Sequence, residues 1–234
     1  MFGLTPATLI SRAIVLLVAV VVHEFAHAYV AHLMGDNTAK EQGRMTLDPR
    51  ANVYWPGYIV GILIGFAILG SAPVNPYRMR NQRWGMFYAV LAGPVSNLLV
   101  AVVAAIPFML GLLTPSAGGG GLQILPTPAQ IMTDMVWLNV LLFVFNLLPL
   151  APLDGWTVVL AALPARPAVW WERQRQTSSL IMWGLILLSF VGDTVVATLP
   201  PGWRTPLAAA ILNPLGFLIG EPSLAIVRFL FGLG

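Results

Sequence analysis

Two histidines and a glutamate lie inside an apolar stretch of the chain, in the order His23-Glu24-Phe25-Ala26-His27. Residues 14–22 before them are all apolar, and the whole segment is long enough to span a bilayer as a helix. In a helix, the two histidines would lie one turn apart on the same face, as two ligands of one metal ion require. Glu24 beside them would act as general base toward a water activated by the metal. The pattern predicts a zinc-peptidase site buried in a membrane.

The H-E-x-x-H pattern is short and recurs by chance, so the alternative is a pair of packed histidines with no metal. That alternative leaves Glu24 buried in apolar sequence without a cationic partner, which is costly inside a membrane. The metal interpretation is therefore favoured over the packing interpretation.

A catalytic zinc normally has three protein ligands and a water, so a third ligand must come from elsewhere in the chain. His32 is turned away from the His23–His27 face by the helical period, and it is interpreted as a polar residue at a helix end. Asp134 and Asp193 lie near the ends of predicted spans, where a carboxylate can reach water. Asp154 is an isolated carboxylate bracketed by apolar sequence between Pro152 and Gly155, and a cation in space explains it best. It is the strongest candidate for the third ligand.

A further polar residue, Asn97, follows Gly93-Pro94 inside another apolar stretch. Small residues and a proline are compatible with a packed helix kink. An amide in the membrane interior also needs hydrogen-bond partners, which the backbone of a bound peptide would supply. The residues alone leave both interpretations open.

The elements that carry these residues belong to an integral membrane protein. Of 234 residues, 58% are hydrophobic and only 9% are charged, whereas a soluble domain carries about 25% charged residues. The net charge of +3 is typical of arginines in cytoplasmic loops, and no basic run with interleaved aromatic residues indicates nucleic-acid binding. The absence of cysteine excludes disulfides, iron–sulfur clusters and thiol catalysis.

Three spanning helices are predicted to carry the site, at about 8–34, 84–113 and 131–149. Residues 38–76 would form a hairpin and re-entrant region. Within it, the alternation in 43–47 favours a short strand or hairpin, and 57–70 is too short for an ordinary span and favours a segment that dips into the membrane and returns. We predict a metallopeptidase core over 1–164 and further membrane helices over 165–234, whose last thirty residues the pattern does not resolve.

Arginine-rich loops at 76–83 and 165–177 are predicted to be cytoplasmic, and the uncharged loop at 114–130 is predicted to face outward. If 57–70 dips in and returns, the 36–56 loop is cytoplasmic as well, and the first helix runs from outside to inside.

Three motifs in order resemble the site-2 protease family, the intramembrane zinc metallopeptidases: His23-Glu24-Phe25-Ala26-His27, Gly93-Pro94-Val95-Ser96-Asn97, and the stretch from Asn146 to Gly155 that is similar to the family's N-x-x-P…D-G signature. The resemblance covers about residues 15–165 and is to the short prokaryotic branch, without PDZ or cystathionine-synthase-type domains.

The resemblance implies that His23, His27 and Asp154 ligate one Zn²⁺ per chain and that Glu24 activates its water. It implies that Asn97 and Asn146 bind substrate or shape the site, and that the 38–50 stretch is a membrane-associated β-hairpin that pairs with an unwound substrate.

We therefore predict an all-α polytopic protein of the bacterial cytoplasmic membrane that hydrolyses peptide bonds within or near transmembrane segments of membrane-protein substrates. The rival hypothesis is a non-catalytic metal-binding or transport membrane protein. The sequence does not indicate the oligomeric state.

Overall fold

The computed structural model describes residues 5–64, 70, 72–116, 124–200, 202 and 205–232, and these residues form helices and no strand. The helices are α1 (Pro6–Leu33), α2 (Thr38–Glu41), α3 (Pro49–Asn52), α4 (Trp55–Ile64), α5 (Gln82–Met109), α6 (Pro128–Asn146), α7 (Asp154–Ala162), α8 (Ala165–Arg173), α9 (Arg175–Thr198), α10 (Pro206–Leu212) and α11 (Pro214–Leu230), with a 3₁₀ turn at Pro76–Arg78.

Four of these helices are long and apolar enough to cross a membrane: α1, α5, α6 and α9. The pair α10 and α11, bent by 115°, would make a fifth crossing if it acts as one span. Three of the four correspond to the core helices expected from the sequence, with ends shifted by a few residues. The prediction of an all-helical protein with several spans is confirmed.

Side-chain caps explain where the core helices begin. The hydroxyl oxygens of Thr5 and Thr127 accept hydrogen bonds from the backbone N–H groups of the first turns of α1 and α6, and proline follows each of them in the sequence. The side chain of Asn81 accepts from Trp84 N–H at the start of α5. Such caps satisfy donors that have no partner inside the helix.

The core helices α1, α5 and α6 pack through small residues. Ala19, Ala89 and Ala101 are completely buried, and small side chains let membrane helices approach closely. Larger apolar residues fill the space between α1 and α6, where Val15 and Leu16 pack with Leu138. Pro94 lies inside α5 without ending it, although proline removes a backbone donor there.

The predicted β-hairpin is not found among the described residues. The 38–56 stretch instead contains the single-turn helices α2 and α3. Asp48 accepts from Arg50 N–H and so begins α3, while Asn52 Nδ2 donates to the carbonyls of Arg44 and Thr46. These side-chain bonds to nearby backbone compete with a strand ladder and favour turns.

The predicted re-entrant segment begins with α4. Val53 and Gly70 form an isolated antiparallel bridge, so the two ends of the intervening chain lie side by side; residues 65–69 lie outside the described part. The Arg12 guanidinium of α1 donates to the carbonyls of Ile62 and Leu63 at the end of α4. The residues on either side of this ten-residue helix lie next to each other. That arrangement is expected of a segment that enters the membrane and returns to the same side, and ten residues are too few to cross it.

The C-terminal helices pack against the core. Val227 and Leu230 of α11 join a buried cluster with Ala104 and Phe108 of α5 and Val140 of α6. A separate buried cluster joins α6, α9 and α11 through Phe145, Met182 and Ile219, together with Leu153. In both clusters, C-terminal helices pack against helices that surround the candidate site.

Candidate metal centre

Three side chains converge between α1 and α7. The Nε2 atoms of His23 and His27 lie 2.9 Å apart, and Asp154 Oδ2 lies 3.1 Å from the first and 3.4 Å from the second. These three residues form a group whose ligand atoms all lie within 4.8 Å of one another, and such a group could hold one metal ion. The structure therefore brings together the three ligands predicted from sequence.

Local structure explains this convergence. His23 and His27 are four residues apart in α1, so their side chains share one face. After α6 the chain turns at Pro149 and Pro152 and begins α7, whose first residue is Asp154. The turn directs the carboxylate back toward α1.

The chemistry of the three atoms fits a cation. His27 Nδ1 lies 2.8 Å from the carbonyl of Ala89, which can only accept, so Nδ1 carries the proton and Nε2 carries a lone pair. His23 Nδ1 lies 2.6 Å from Asn97 Oδ1 and is arranged in the same way. Asp154 Oδ2 is buried, and its described polar neighbours are the two imidazole nitrogens, at 3.1 and 3.4 Å. With both rings neutral and Asp154 ionised, the three atoms direct lone pairs at one another, and one metal ion between them would relieve that repulsion.

Gly93 of α5 lies directly against the two imidazoles of this group. A Cβ at residue 93 would overlap His27 Nε2 and would lie 2.7 Å from His23 Nε2. Only glycine leaves the space between the two imidazoles open at this point. The sequence motif pointed to helix packing here, but it did not indicate direct contact with the histidines.

Glu24 is buried, with 5% of its surface exposed, and lines the same cavity as the three ligands. Its Oε2 has no hydrogen-bond partner among the described residues, while the backbone N–H of Ala72 hydrogen-bonds to its carboxylate. A Cβ at Gly70 would lie 2.7 Å from Glu24 Oε1, so Gly70 and Ala72 lie against one side of this carboxylate.

The two asparagines predicted from the motifs also line the cavity, in different environments. Asn97 is completely buried and hydrogen-bonds His23, the carbonyl of Ala19 and the side chain of Asn139. Asn146, at the end of α6, is partly buried, and its Nδ2 donates to Leu142 O.

The residues rejected as ligands lie elsewhere. His32 is half-buried at the end of α1, with Nδ1 2.6 Å from Asn37 Oδ1, as expected for a helix-end polar residue. Asp134 accepts from the Ser11 hydroxyl at 2.6 Å and interacts with the Arg12 charge. Asp193 lies in α9, and its side chain is outside the described part of the structure.

The cavity has a volume of about 410 Å³. Its walls come from α1, α5, α6 and α7 and from the stretch between α4 and α5. Sequence reasoning missed Gly70, Ala72 and Val74, which line the cavity, and Asn139 of α6, which lies behind it and accepts a hydrogen bond from Asn97. Asn139 stands in an apolar run seven residues before Asn146, and that polar position in a predicted span was the available signal.

The sequence is similar to proteins that are named as zinc metalloproteases. The zinc metalloprotease YwhC of Bacillus subtilis is 40% identical over 152 residues, which is 64% of this chain and 68% of YwhC. From Mycobacterium tuberculosis, the zinc metalloproteases Rip2 and Rip3 are each 28% identical, over 179 and 193 residues. The chain spans 62% of the length of Rip2 and 40% of that of Rip3. No family model matches the chain, and no solved structure does.

The names agree with the chemistry of the His23–His27–Asp154 group, which suits one zinc ion. The spans α1, α5, α6 and α9 agree with a multi-pass membrane protein. An identity of 40% over about two thirds of both sequences is a family relationship, and the chain belongs to the site-2 protease family and is a zinc metalloprotease.

Proposed function

We propose that this protein is an intramembrane endopeptidase that cleaves transmembrane segments of membrane-protein substrates in the bacterial cytoplasmic membrane. His23, His27 and Asp154 would ligate zinc, and Glu24 would be the general base. The observation that carries the proposal is the position of the cavity: residues of three candidate spans, α1, α5 and α6, form its walls together with the ligands and Glu24. A protease site in that position favours a substrate that is itself within the membrane.

A zinc ion held by the three ligands would supply an activated water and would polarise the scissile carbonyl. Glu24 would take the proton from that water and deliver it to the leaving amine. Its Oε2 has no hydrogen-bond partner among the described residues, which suits this task because none of their hydrogen bonds must break first. Burial of Glu24 keeps bulk water away from the proton that it carries.

The substrate must be extended to react, since the backbone carbonyls of a helix are engaged in its own hydrogen bonds. Asn146 lines the cavity, and no hydrogen bond to its Oδ1 is found among the described residues. We propose that this amide binds the extended substrate backbone. Gly70, Ala72 and Val74 line the same cavity, and they would take the place that the sequence had suggested for a hairpin.

The test is cleavage of a single-span substrate by the full chain in liposomes, comparing wild type with Glu24→Gln and Glu41→Gln. Glu41 is exposed and pairs with Arg78, so its variant is the matched control. We expect Glu24→Gln to lower the cleavage rate by about 10²- to 10⁴-fold, the usual contribution of a general base, with zinc content unchanged. Glu41→Gln should cleave like wild type.

Full cleavage by a zinc-loaded Glu24→Gln variant would show that Glu24 is not the base. A wild-type protein that holds zinc but cleaves no membrane substrate would favour the non-catalytic metal-binding alternative. Equal cleavage of a soluble unfolded protein would contradict the intramembrane specificity.

A further inference from the structure

The two histidines of the candidate metal centre are oriented by different kinds of partner. The partner of His27 Nδ1 is the backbone carbonyl of Ala89, which can only accept a hydrogen bond. The partner of His23 Nδ1 is the side-chain amide of Asn97, at 2.6 Å from Oδ1. An amide has an acceptor on one side and a donor on the other, so its orientation decides which tautomer of His23 is stable.

Other bonds fix the orientation of Asn97. Its Nδ2 donates to the carbonyl of Ala19 at 3.2 Å and to Asn139 Oδ1 at 3.0 Å. If the amide were reversed, its oxygen would face these two acceptors and its NH₂ would face His23 Nδ1. Neither Asn97 nor Asn139 has any exposed surface, so water would not relieve that mismatch.

The orientation of Asn139 is fixed in turn within α6. Its Nδ2 donates to Met135 O at 2.9 Å, one turn earlier in the helix, which leaves Oδ1 as the acceptor for Asn97. Donation therefore runs in one direction, from His23 of α1 through Asn97 of α5 to Asn139 of α6, and it ends at the carbonyl of Met135. Each asparagine is held by a backbone carbonyl that can only accept, so the whole chain of bonds has one favoured arrangement.

We propose that Asn139 is a positioning residue, which acts through Asn97 to hold His23 with its proton on Nδ1 and its Nε2 lone pair toward the metal. The inference rests on the proposed ligand role of His23 and extends it to a residue on a third helix. It also gives Asn97 a role in orienting a ligand, because its Oδ1 lies 2.6 Å from His23 Nδ1. Partners behind metal-binding histidines typically contribute about 10- to 100-fold in metal affinity.

The competing explanation is that the two asparagines only join α5 to α6, since buried amides also stabilise contacts between membrane helices. That explanation predicts a loss of stability without a specific loss of zinc affinity. Gln130 offers a matched comparison, because it is an amide on the same helix with 2% of its surface exposed and it does not line the cavity of the metal centre.

The experiment measures the zinc dissociation constant of the full chain in detergent by competition with a chelator, together with thermal unfolding of the zinc-free protein. The variants are Asn139→Leu, Asn139→Asp, Asn97→Leu and Gln130→Leu. We expect Asn139→Leu and Asn97→Leu to weaken zinc binding by about 10- to 100-fold. Asn139→Asp keeps an oxygen acceptor for Asn97 and should restore most of the affinity, and Gln130→Leu should bind zinc like wild type.

Zinc affinity of Asn139→Leu equal to that of wild type would overturn the proposal. So would equal weakening by Asn139→Leu and Asn139→Asp, because the acceptor oxygen would then be irrelevant. If Asn139→Leu does not fold, Asn139→Ala removes the same acceptor without added bulk, and the same expectation applies to it.

The readout separates this inference from the proposed function, because zinc affinity is measured without cleavage. A wild type that binds zinc but cleaves no membrane substrate would end the proposed function and leave the role of Asn139 standing. If wild type cleaves normally and Asn139→Leu binds zinc like wild type, the role of Asn139 would be contradicted and the proposed function would stand.

Discussion

At the scale of single residues, the candidate metal centre depends on the missing side chain of Gly93 as much as on the three proposed ligands. Gly93 is the point where α5 meets the two imidazoles, and a methyl group there would overlap His27 Nε2. The backbone of a helix is rigid on this scale, so the added group and the histidines cannot both keep their positions.

We therefore expect Gly93→Ala to displace the histidines and to reduce zinc binding. Overpacking of this kind costs about 1–3 kcal/mol, and about 1.4 kcal/mol corresponds to tenfold in affinity, so zinc affinity should fall about tenfold or more. The measurement is bound zinc in the purified protein at graded chelator concentrations. Gly184→Ala is the control, since a Cβ at that helical position meets nothing within 4 Å. Unchanged zinc binding by Gly93→Ala would contradict the described contact.

At the scale of elements, Asp154 is positioned through the helix that it begins. Helix α7 has only nine residues, too few to be stable alone. Its C-terminal carbonyls accept hydrogen bonds from Arg83 at the start of α5: Nε donates to Ala161 at 2.7 Å, and the guanidinium also donates to Ala162. Trp171 of α8 stacks on Trp156 of α7 with ring centroids 4.4 Å apart.

Removing the cap of α7 should loosen Asp154. A cation at a helix C-terminus contributes about 0.3–1 kcal/mol when exposed, so Arg83→Met should weaken zinc binding by up to about fivefold, because about 1.4 kcal/mol is tenfold. Arg80→Met, an exposed arginine of the same stretch, should bind zinc like wild type. The same chelator titration measures both variants. An effect of Arg80→Met as large as that of Arg83→Met would show that general charge, and not the cap, is responsible.

A second element-scale contact joins the end of α1 to the stretch before α5. Asp36 has only 1% of its surface exposed and accepts from Asn75 N–H at 2.6 Å and from Thr38 N–H at 2.9 Å. Burial alone would raise the pKa of Asp36, but these hydrogen bonds and the Arg78 charge outweigh it and hold the pKa below the ordinary value.

This contact predicts a pH dependence of stability. Because the folded pKa of Asp36 is lowered, its ionised form stabilises the fold above the unfolded pKa of about 4, and that contribution is lost as the pH falls through the folded value. Thermal unfolding between pH 7 and pH 3 should show a decrease in stability at the acid end. The Asp36→Asn variant should be less stable than wild type at neutral pH. Its stability should also fall less than that of wild type when the pH is lowered. A variant with the same acid profile as wild type would show that Asp36 does not contribute.

At the scale of the whole molecule, the return of the chain from Val53 to Gly70 decides on which side of the membrane each loop lies. If the chain re-enters between these residues, the α2–α3 loop and the stretch before α5 lie on the same side, and the end of α5 lies on the opposite side. The arginine distribution predicts that this shared side would be cytoplasmic.

The natural absence of cysteine makes this arrangement directly testable. Single cysteines at Leu47, Tyr77 and Leu112 occupy exposed positions and can be labelled with a membrane-impermeant thiol reagent. We expect Leu47→Cys and Tyr77→Cys to react only from the cytoplasmic side and Leu112→Cys only from outside. Reaction of Leu47→Cys and Tyr77→Cys from opposite sides would show that the segment crosses the membrane.

The sequence by itself determined what is encoded within a few residues. The apolar runs predicted the core helices, and the four-residue spacing of His23 and His27 predicted a shared face, because the helical period is local. Asp154 was identified because an isolated carboxylate in apolar sequence requires a cation.

Only the tertiary structure decided how distant helices meet. Asn97 is 74 residues from His23 and 42 from Asn139 in sequence, so no local period relates them, and their hydrogen bonds follow from the packing of α1, α5 and α6. The hairpin predicted from alternation was replaced by turns, because the side chains of Asp48 and Asn52 bind backbone groups that a strand would have used. The contact of Gly93 with both imidazoles depends equally on helix packing, which is why the residues that we propose to orient the ligands emerged only from the structure.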